Sequence, residues 1–87
     1  MKVVWKYDLG GFYDDISLKM PKSAIPLSVQ KQAGSPVLWC LCDNTEDYAE
    51  RQSTFAWTGC QINMDVDYIG TIQREDGLVY HLFEVLE

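Results

Sequence analysis

The chain has 87 residues and a formal net charge of −6, and its sequence pI is about 4.5. Its length predicts a single domain over residues 1–87, and its 47% hydrophobic content is typical of a globular chain. The acidic balance argues against direct binding to nucleic acid or to an anionic membrane surface, since both favour basic proteins. No stretch approaches the ~20 apolar residues of a membrane span. No signal-peptide pattern is visible either, so we expect a cytoplasmic protein.

Apolar and polar residues alternate in the first three predicted strands. Segments 2–8, 16–20 and 25–32 carry apolar side chains at every second position, which is the period of a strand with one face buried. Pro26 predicts that the third strand starts late or lies at a sheet edge, because proline cannot donate a hydrogen bond to a neighbouring strand.

The fourth predicted strand, residues 36–43, has apolar side chains on both faces. Val37, Trp39 and Leu41 point one way, and Leu38, Cys40 and Cys42 point the other way. This pattern predicts a central strand that is covered on both faces.

Segments 53–59, 68–73 and 78–86 complete a set of seven predicted strands. Asp76-Gly77 is a two-residue hairpin signal between the last two predicted strands. Residues 43–50 are compatible with one helical turn. Residues 61–67 are compatible with a loop or a short helix. The spacing predicts a mainly β fold, a small antiparallel β-sandwich or partly open barrel with at most one short helix. A single sheet with one short helix is the alternative.

Three cysteines and one histidine suggest a search for a metal site or a nucleophile. Cys40 and Cys42 lack the spacing of a zinc-binding pair, and no nucleophile motif surrounds Cys60 or His81. The cysteines are therefore interpreted as small hydrophobic residues. His81 lies between Val79 and Phe83, so it is either a core residue with hydrogen-bond partners or part of a pocket wall. We predict no metal, no cofactor and no enzymatic activity.

Aromatic side chains and glycines offer a candidate ligand site. The indoles of Trp39 and Trp57 could stack on a planar ring, and Thr58-Gly59 and Gly70-Thr71 could present free backbone N–H groups to an anion. The alternative is that the glycines form β-bulges and that the indoles lie in the core. The candidate ligand-binding residues are Trp57, Thr58, Gly59, Trp39, Gln30, His81, Arg51 and Arg74.

The acidic residues are scattered through the predicted loops and match no calcium-binding spacing. They form either a solvated rim or a surface that imitates nucleic-acid phosphates.

The segments MPKSAIPLSVQKQ, PVLWCLCD, TGCQI, YIGT and LVYHLFE occur in this order along most of the chain. In this combination the sequence resembles a family of small proteins from tailed phages and prophages. The family usually has Gly-Thr-Gly-His where this chain has Trp57-Thr58-Gly59-Cys60. The resemblance implies action in the cytoplasm of an infected bacterium, where small accessory phage proteins often counter host defence by binding.

Two functional hypotheses follow from the residues and the resemblance together. The first is a non-enzymatic anti-defence protein that sequesters a small nucleotide-derived host signal. A small domain has little room for an enclosed pocket, so a homo-oligomer with a shared site is expected. The alternative is an acidic inhibitor or adaptor that binds a host defence protein.

Overall fold

Seven strands form two antiparallel sheets that pack face to face in the computed structural model, which describes residues 1–86. The strands are β1 (Lys2–Asp8), β2 (Ile16–Pro21), β3 (Ile25–Gln32), β4 (Ser35–Asp43), β5 (Tyr48–Trp57), β6 (Val66–Gln73) and β7 (Val79–Val85). Sheet A has the strand order β1-β4-β3, and sheet B has the order β2-β5-β7-β6. The prediction of a small antiparallel β-sandwich is confirmed, and no helix occurs in the described part of the chain.

Residues 43–47 form a turn rather than a helical turn. The carboxylate of Asp43 accepts hydrogen bonds from the backbone N–H of Thr45 at 3.0 Å and from its hydroxyl at 2.6 Å. An aspartate that satisfies a nearby N–H in this way favours a turn over a helix. The chain then enters β5 at Tyr48, earlier than predicted, because residues 48–53 pair with β2.

The two-residue hairpin of the fold lies between β3 and β4. Ala33 and Gly34 both have positive φ angles, 51° and 84°, as a type I′ turn requires.

The hairpin between β6 and β7 is longer than predicted. Its ends are joined by the backbone N–H of Arg74, which donates to the carbonyl of Leu78 at 2.8 Å, and Gly77 has a φ of 89°.

The hydrophobic core lies between the two sheets. Its buried members come from both sheets and from the loops: Leu9, Ile16, Met20, Ala24, Val29, Leu38, Cys40, Cys42, Phe55, Ile72 and Leu82.

The prediction for β4 was half right. The strand is central in sheet A, and its inner face with Leu38 and Cys40 is buried. On its outer face Val37 is buried, but Trp39 and Leu41 are only half-buried. Sheet A is one of the two layers of the sandwich, and no third sheet covers its outer face in the described residues.

Strands β3 and β6, which belong to different sheets, come close to each other at Gly70. A Cβ atom added at Gly70 would lie 2.7 Å from Cγ1 of Val29, which is far inside van der Waals contact. The pairing of β6 with β7 is also shifted by one residue between Tyr68 and Gly70. Gly70 is therefore a bulge and close-approach glycine, and it stands against strand β3 rather than a ligand.

Candidate functional site

His81 lies on the outer face of sheet B, not in the core. Along β7, Leu82 is buried with Phe55 between the sheets, so the neighbouring His81 points to the opposite side, where it pairs with Ala56 of β5. Val79 and Phe83 share this outer face and are half-buried. The alternation in the sequence identified the correct neighbours of His81, but it could not tell which face of the strand was the inner one.

Two hydroxyl groups contact the His81 imidazole, one at each ring nitrogen. Thr58 Oγ1 lies 2.9 Å from Nε2, and Thr71 Oγ1 lies 3.0 Å from Nδ1. The Tyr68 hydroxyl lies 2.7 Å from Thr71 Oγ1 and extends the network by one more group. A hydroxyl can donate or accept, so the network satisfies both ring nitrogens in either neutral tautomer. The ring is thereby held in one orientation on the sheet surface.

Apolar and aromatic side chains border this network. The rings of Tyr68 and Phe83 meet edge to face with their centroids 5.8 Å apart, and Tyr68 is 62% exposed. We call this surface the His81 face, and it consists of Thr58, Tyr68, Thr71, Val79, His81 and Phe83. Aromatic groups around a few oriented hydrogen-bonding groups are typical of recognition surfaces.

The turn after β5 carries Thr58 to the edge of the His81 face. The backbone N–H of Thr58 donates to the carbonyl of Val79 at 3.1 Å, and that of Cys60 donates to the carbonyl of Trp57 at 2.9 Å. Gly59 has a φ of 93°, and a Cβ added there would meet open space. Trp57 is the last residue of β5 and is 55% exposed. Gly59 thus makes the turn possible, and Trp57 stands in solvent beside it.

Trp39 and Gln30 lie on the outer face of sheet A, on the other side of the sandwich. Trp39 pairs with Lys6 of β1 and with Ser28 of β3. The Gln30 amide donates to the Ser28 hydroxyl at 3.2 Å. The fold therefore separates these two predicted site residues from His81 by the whole thickness of the core.

Arg51 is bound within the protein. Its Nε and Nη2 donate to the two carboxylate oxygens of Glu84 at 2.5 and 2.8 Å, and its Nη1 donates to the carbonyl of Ala24 at 2.6 Å. The hydrogen bonds with Glu84 are the main reason that the pKa of Arg51 is raised above its usual value. Because each of its three nitrogens already donates to a protein oxygen, this guanidinium links β5, β7 and the connection between β2 and β3 and is not a free partner for a phosphate.

Arg74 lines a cleft of ≈ 480 Å³ at one end of the sandwich. Its guanidinium lies over the rings of Phe12 and Tyr80, 5.2 and 5.7 Å from their centroids, and forms an ion pair with Asp76 at 2.9 Å. The other side chains of the cleft include Lys31, Ser35 and Glu75. The cleft is therefore lined by two cationic side chains, Lys31 and Arg74, and by the carboxylates of Glu75 and Asp76.

Two of the three cysteines lie in the core, and the third, Cys60, lies in the turn that follows Thr58. Cys40 and Cys42 are fully buried, and burial raises the pKa of the Cys40 thiol to about 11. Cys60 is half-buried, and its thiol faces the carbonyl of Gln61 at 3.3 Å. Within residues 1–86, no group of three or more His, Cys, Asp or Glu side chains is placed to hold a metal ion.

Residues 1–87 match a family described as a domain of unknown function, DUF7352. The chain belongs to this family. No curated protein and no solved structure matches it. In this DUF7352 chain, residues 1–86 contain no helix that is long and apolar enough to cross a membrane.

The DUF7352 fold brings together only part of the predicted site. Thr58 and His81 meet directly, and Trp57 and Gly59 flank Thr58 along the chain. Trp39, Gln30, Arg51 and Arg74 lie elsewhere, as described above. Tyr68, Thr71 and Phe83 were not among the predicted site residues. The sequence offered a signal for two of these residues, because Thr71 follows a strand glycine and Phe83 alternates with His81, but no signal pointed to Tyr68.

Proposed function

We propose that this protein is a non-enzymatic binding protein that engages another protein through the His81 face. The observation that supports this most directly is an open sheet surface on which Tyr68 is 62% exposed beside an oriented His81. The outer face of a sandwich is usually polar along its strands. On the outer face of sheet B, the apolar and aromatic side chains of Val79, Phe83 and Tyr68 are exceptions to this pattern.

The hydrogen-bond network makes this face suitable for burial under a partner. A polar group that loses water without gaining a hydrogen bond costs about 1–3 kcal/mol. Both nitrogens of His81 already have hydroxyl partners at 2.9 and 3.0 Å, so covering the ring leaves neither nitrogen unpaired. The surrounding Tyr68 and Phe83 rings supply apolar area, at roughly 25 cal/mol for each Å² removed from water.

Thr58 and His81 form a hydroxyl–imidazole pair like the one in a catalytic triad. The groups around this pair favour binding over catalysis. In a catalytic triad, a carboxylate contacts the second ring nitrogen and stabilises the imidazolium ion. In this protein, that nitrogen meets the neutral hydroxyl of Thr71. The proposed role of the network is therefore to orient the ring and not to move a proton.

The partner proposed on grounds of charge is a basic protein. The chain has 13 acidic and 7 basic residues, and charge of opposite sign speeds association and selects partners. The resemblance to phage proteins adds the context of an infected bacterium, in which the partner would be a host defence protein and this chain its inhibitor or adaptor.

The test is affinity capture from a bacterial lysate with wild-type protein and two tyrosine variants. Tyr68→Ser removes the exposed ring of the His81 face, and Tyr13→Ser is the matched control because Tyr13 is 59% exposed in the connection between β1 and β2. We expect a captured protein to bind wild type and Tyr13→Ser alike and to bind Tyr68→Ser about tenfold more weakly or worse, as for an interface hot spot. Equal binding to both variants would contradict the proposal.

A second candidate function is supported by the cleft at Arg74. Its volume of ≈ 480 Å³ lies within the range of about 300–1,000 Å³ that is usual for small-molecule sites. Lys31 and Arg74 suit an anionic ligand, such as a nucleotide-derived host signal. A phosphate there would have to displace Asp76 from Arg74.

This second function predicts a rise in melting temperature with cyclic dinucleotides or ADP-ribose derivatives. A ligand at about 100 times its dissociation constant stabilises the folded state by roughly 2.7 kcal/mol, which is a clear thermal shift. The shift should disappear in Lys31→Ala and persist in Tyr68→Ser. No shift with any of these ligands would remove the candidate and leave the protein-binding proposal standing.

A further inference from the structure

The four edge strands of the sandwich differ in how well they are protected against pairing with another strand. Sheet B ends at β2 and β6, and sheet A ends at β1 and β3. β3 contains Pro26 and a register shift after it, β6 has the shift before Gly70, and β2 ends in Pro21. Prolines and bulges of this kind block strand addition.

Strand β1 has neither of these protections. It is seven residues long, contains no proline, and pairs with β4 without any register shift from Lys2 to Asp8. No described strand pairs with its other side. The unpaired backbone N–H and C=O groups of such an edge can take up a further strand.

The sequence of β1 is complementary to itself in the antiparallel direction. When all seven residues of two copies pair, Lys2 faces Asp8 at both ends, Val3 faces Tyr7, Val4 faces Lys6, and Trp5 faces Trp5. Opposite charges directly across an antiparallel pair are stabilising, and like charges are destabilising. No like charges face each other in this register. Lysine usually protects an edge strand, but here Lys2 meets a carboxylate.

The outer face of sheet A gives a second reason for this pairing. Val4 is 55% exposed and forms one row with Leu41 and Ile25 across the sheet. This apolar row ends at Val4, because β1 is an edge strand of sheet A. In the paired register, Lys6 of a second copy lies beside Val4, and the methylene stem of a lysine covers apolar surface while its ammonium group stays in water.

We propose that two copies of this chain form a dimer by antiparallel pairing of their β1 strands, which extends sheet A to six strands across a two-fold axis. Such an interface is isologous, so each Lys2–Asp8 pair occurs twice. The interface uses the β1 edge of sheet A, whereas the His81 face lies on the outer side of sheet B at β6 and β7, away from that edge. The dimer therefore carries two His81 faces and can bind a repeated partner with avidity.

Charge reversal tests the register as well as the dimer. Lys2→Glu sets two carboxylates against each other at both ends of the interface, and Asp8→Lys sets two ammonium groups against each other there. Each variant alone therefore has two repulsive pairs. In a mixed dimer of the two variants, every pair joins a carboxylate to an ammonium group. Sedimentation velocity over a concentration series should show a dimer for wild type, dissociation constants at least about tenfold higher for each variant alone, and a restored dimer in the equimolar mixture.

Two controls keep the result interpretable. Lys22→Glu makes the same charge change as Lys2→Glu at an exposed loop position and should dimerise like wild type. Asp8 also accepts hydrogen bonds from Gly10 N–H and the Ser35 hydroxyl at 2.9 and 3.1 Å. If Asp8→Lys does not fold, Asp8→Asn keeps an acceptor oxygen and should still weaken the dimer. A monomeric wild type, or a mixture that associates no better than the single variants, would overturn the proposal.

Discussion

Acidic side chains in the loops of this protein are used to hold turns. Asp43 binds Thr45 and, at 3.3 Å, the amino group of Met1. The Glu46 carboxylate accepts from the backbone N–H and the hydroxyl of Ser23 at 3.0 and 2.6 Å, and these hydrogen bonds lower the pKa of Glu46. At the scale of single residues, part of the negative charge thus contributes to the fold.

Asp43 makes stability depend on pH in a predictable direction. The hydrogen bonds from Thr45 lower the pKa of Asp43 from 3.8 to about 2 in the folded protein. A carboxyl group with a lowered pKa stabilises the fold fully above its unfolded pKa, and this contribution is lost as the pH falls toward its folded pKa. The sensitive window is therefore between about pH 4 and pH 2.

We predict that Asp43→Asn is less stable than wild type at about pH 7 and that the difference in unfolding free energy shrinks as the pH falls from about 4 to about 2. Urea unfolding at several pH values measures it. Thr45→Val removes the hydroxyl that contributes most to the lowered pKa, so the acid sensitivity should be smaller in that variant. If the difference in unfolding free energy between wild type and Asp43→Asn stayed constant across this pH window, the charge of Asp43 would not contribute to stability.

At the scale of elements, the side of the sandwich where β3 meets β6 depends on one glycine. Val29 of β3 is buried and occupies the position that a side chain at Gly70 would need. The bulge beside Gly70 changes the course of β6 at the same place. The close approach of these two strands from different sheets therefore requires both the missing Cβ and the valine that fills the space.

Gly70→Ala should destabilise the protein by about 1–3 kcal/mol, as is usual for overpacking a filled site. The same substitution should cost much less in a Val29→Ala background, because the methyl group that it would meet has been removed. Chemical denaturation of the four proteins in this double-mutant cycle gives the coupling energy. Costs that simply add would mean that the backbone at Gly70, and not Val29, sets the penalty.

At the scale of the whole molecule, one ion pair joins parts of the chain that are distant in sequence. Arg51 of β5 binds Glu84 of β7 and the carbonyl of Ala24 in the connection between β2 and β3. The two charged side chains are only 20% and 17% exposed. The geometry is bidentate, which is the strongest arrangement for such a pair.

Arg51→Met should lower the unfolding free energy by about 2 kcal/mol, since it leaves Glu84 without its charged partner in a mostly buried position. Glu84→Gln should have a similar effect, and the double variant should be less destabilised than the sum of the two. Thermal and urea unfolding of all four proteins test this. A double variant whose cost equals the sum of the single costs would show that the two side chains act independently.

The number of strands follows from the sequence alone, and the first three are marked by alternation, because a half-buried strand requires apolar residues at every second position. Segments 2–8 and 25–32 agree with β1 and β3 residue for residue. The early start of β5 was missed, since Tyr48, Glu50 and Arg51 do not alternate as a half-buried strand does. They are strand residues because β2 lies beside them.

Only the tertiary structure decided which face of each strand is buried and which polar groups meet. Trp39 and His81 stand on strands with apolar residues on both faces, so their period does not distinguish core from surface. The packing of the two sheets placed Leu38 and Leu82 inside and turned Trp39 and His81 outward. The network of Thr58, His81 and Thr71 joins residues from the β5 turn, β7 and β6. Such a contact depends on strand order and register, which local sequence patterns do not contain.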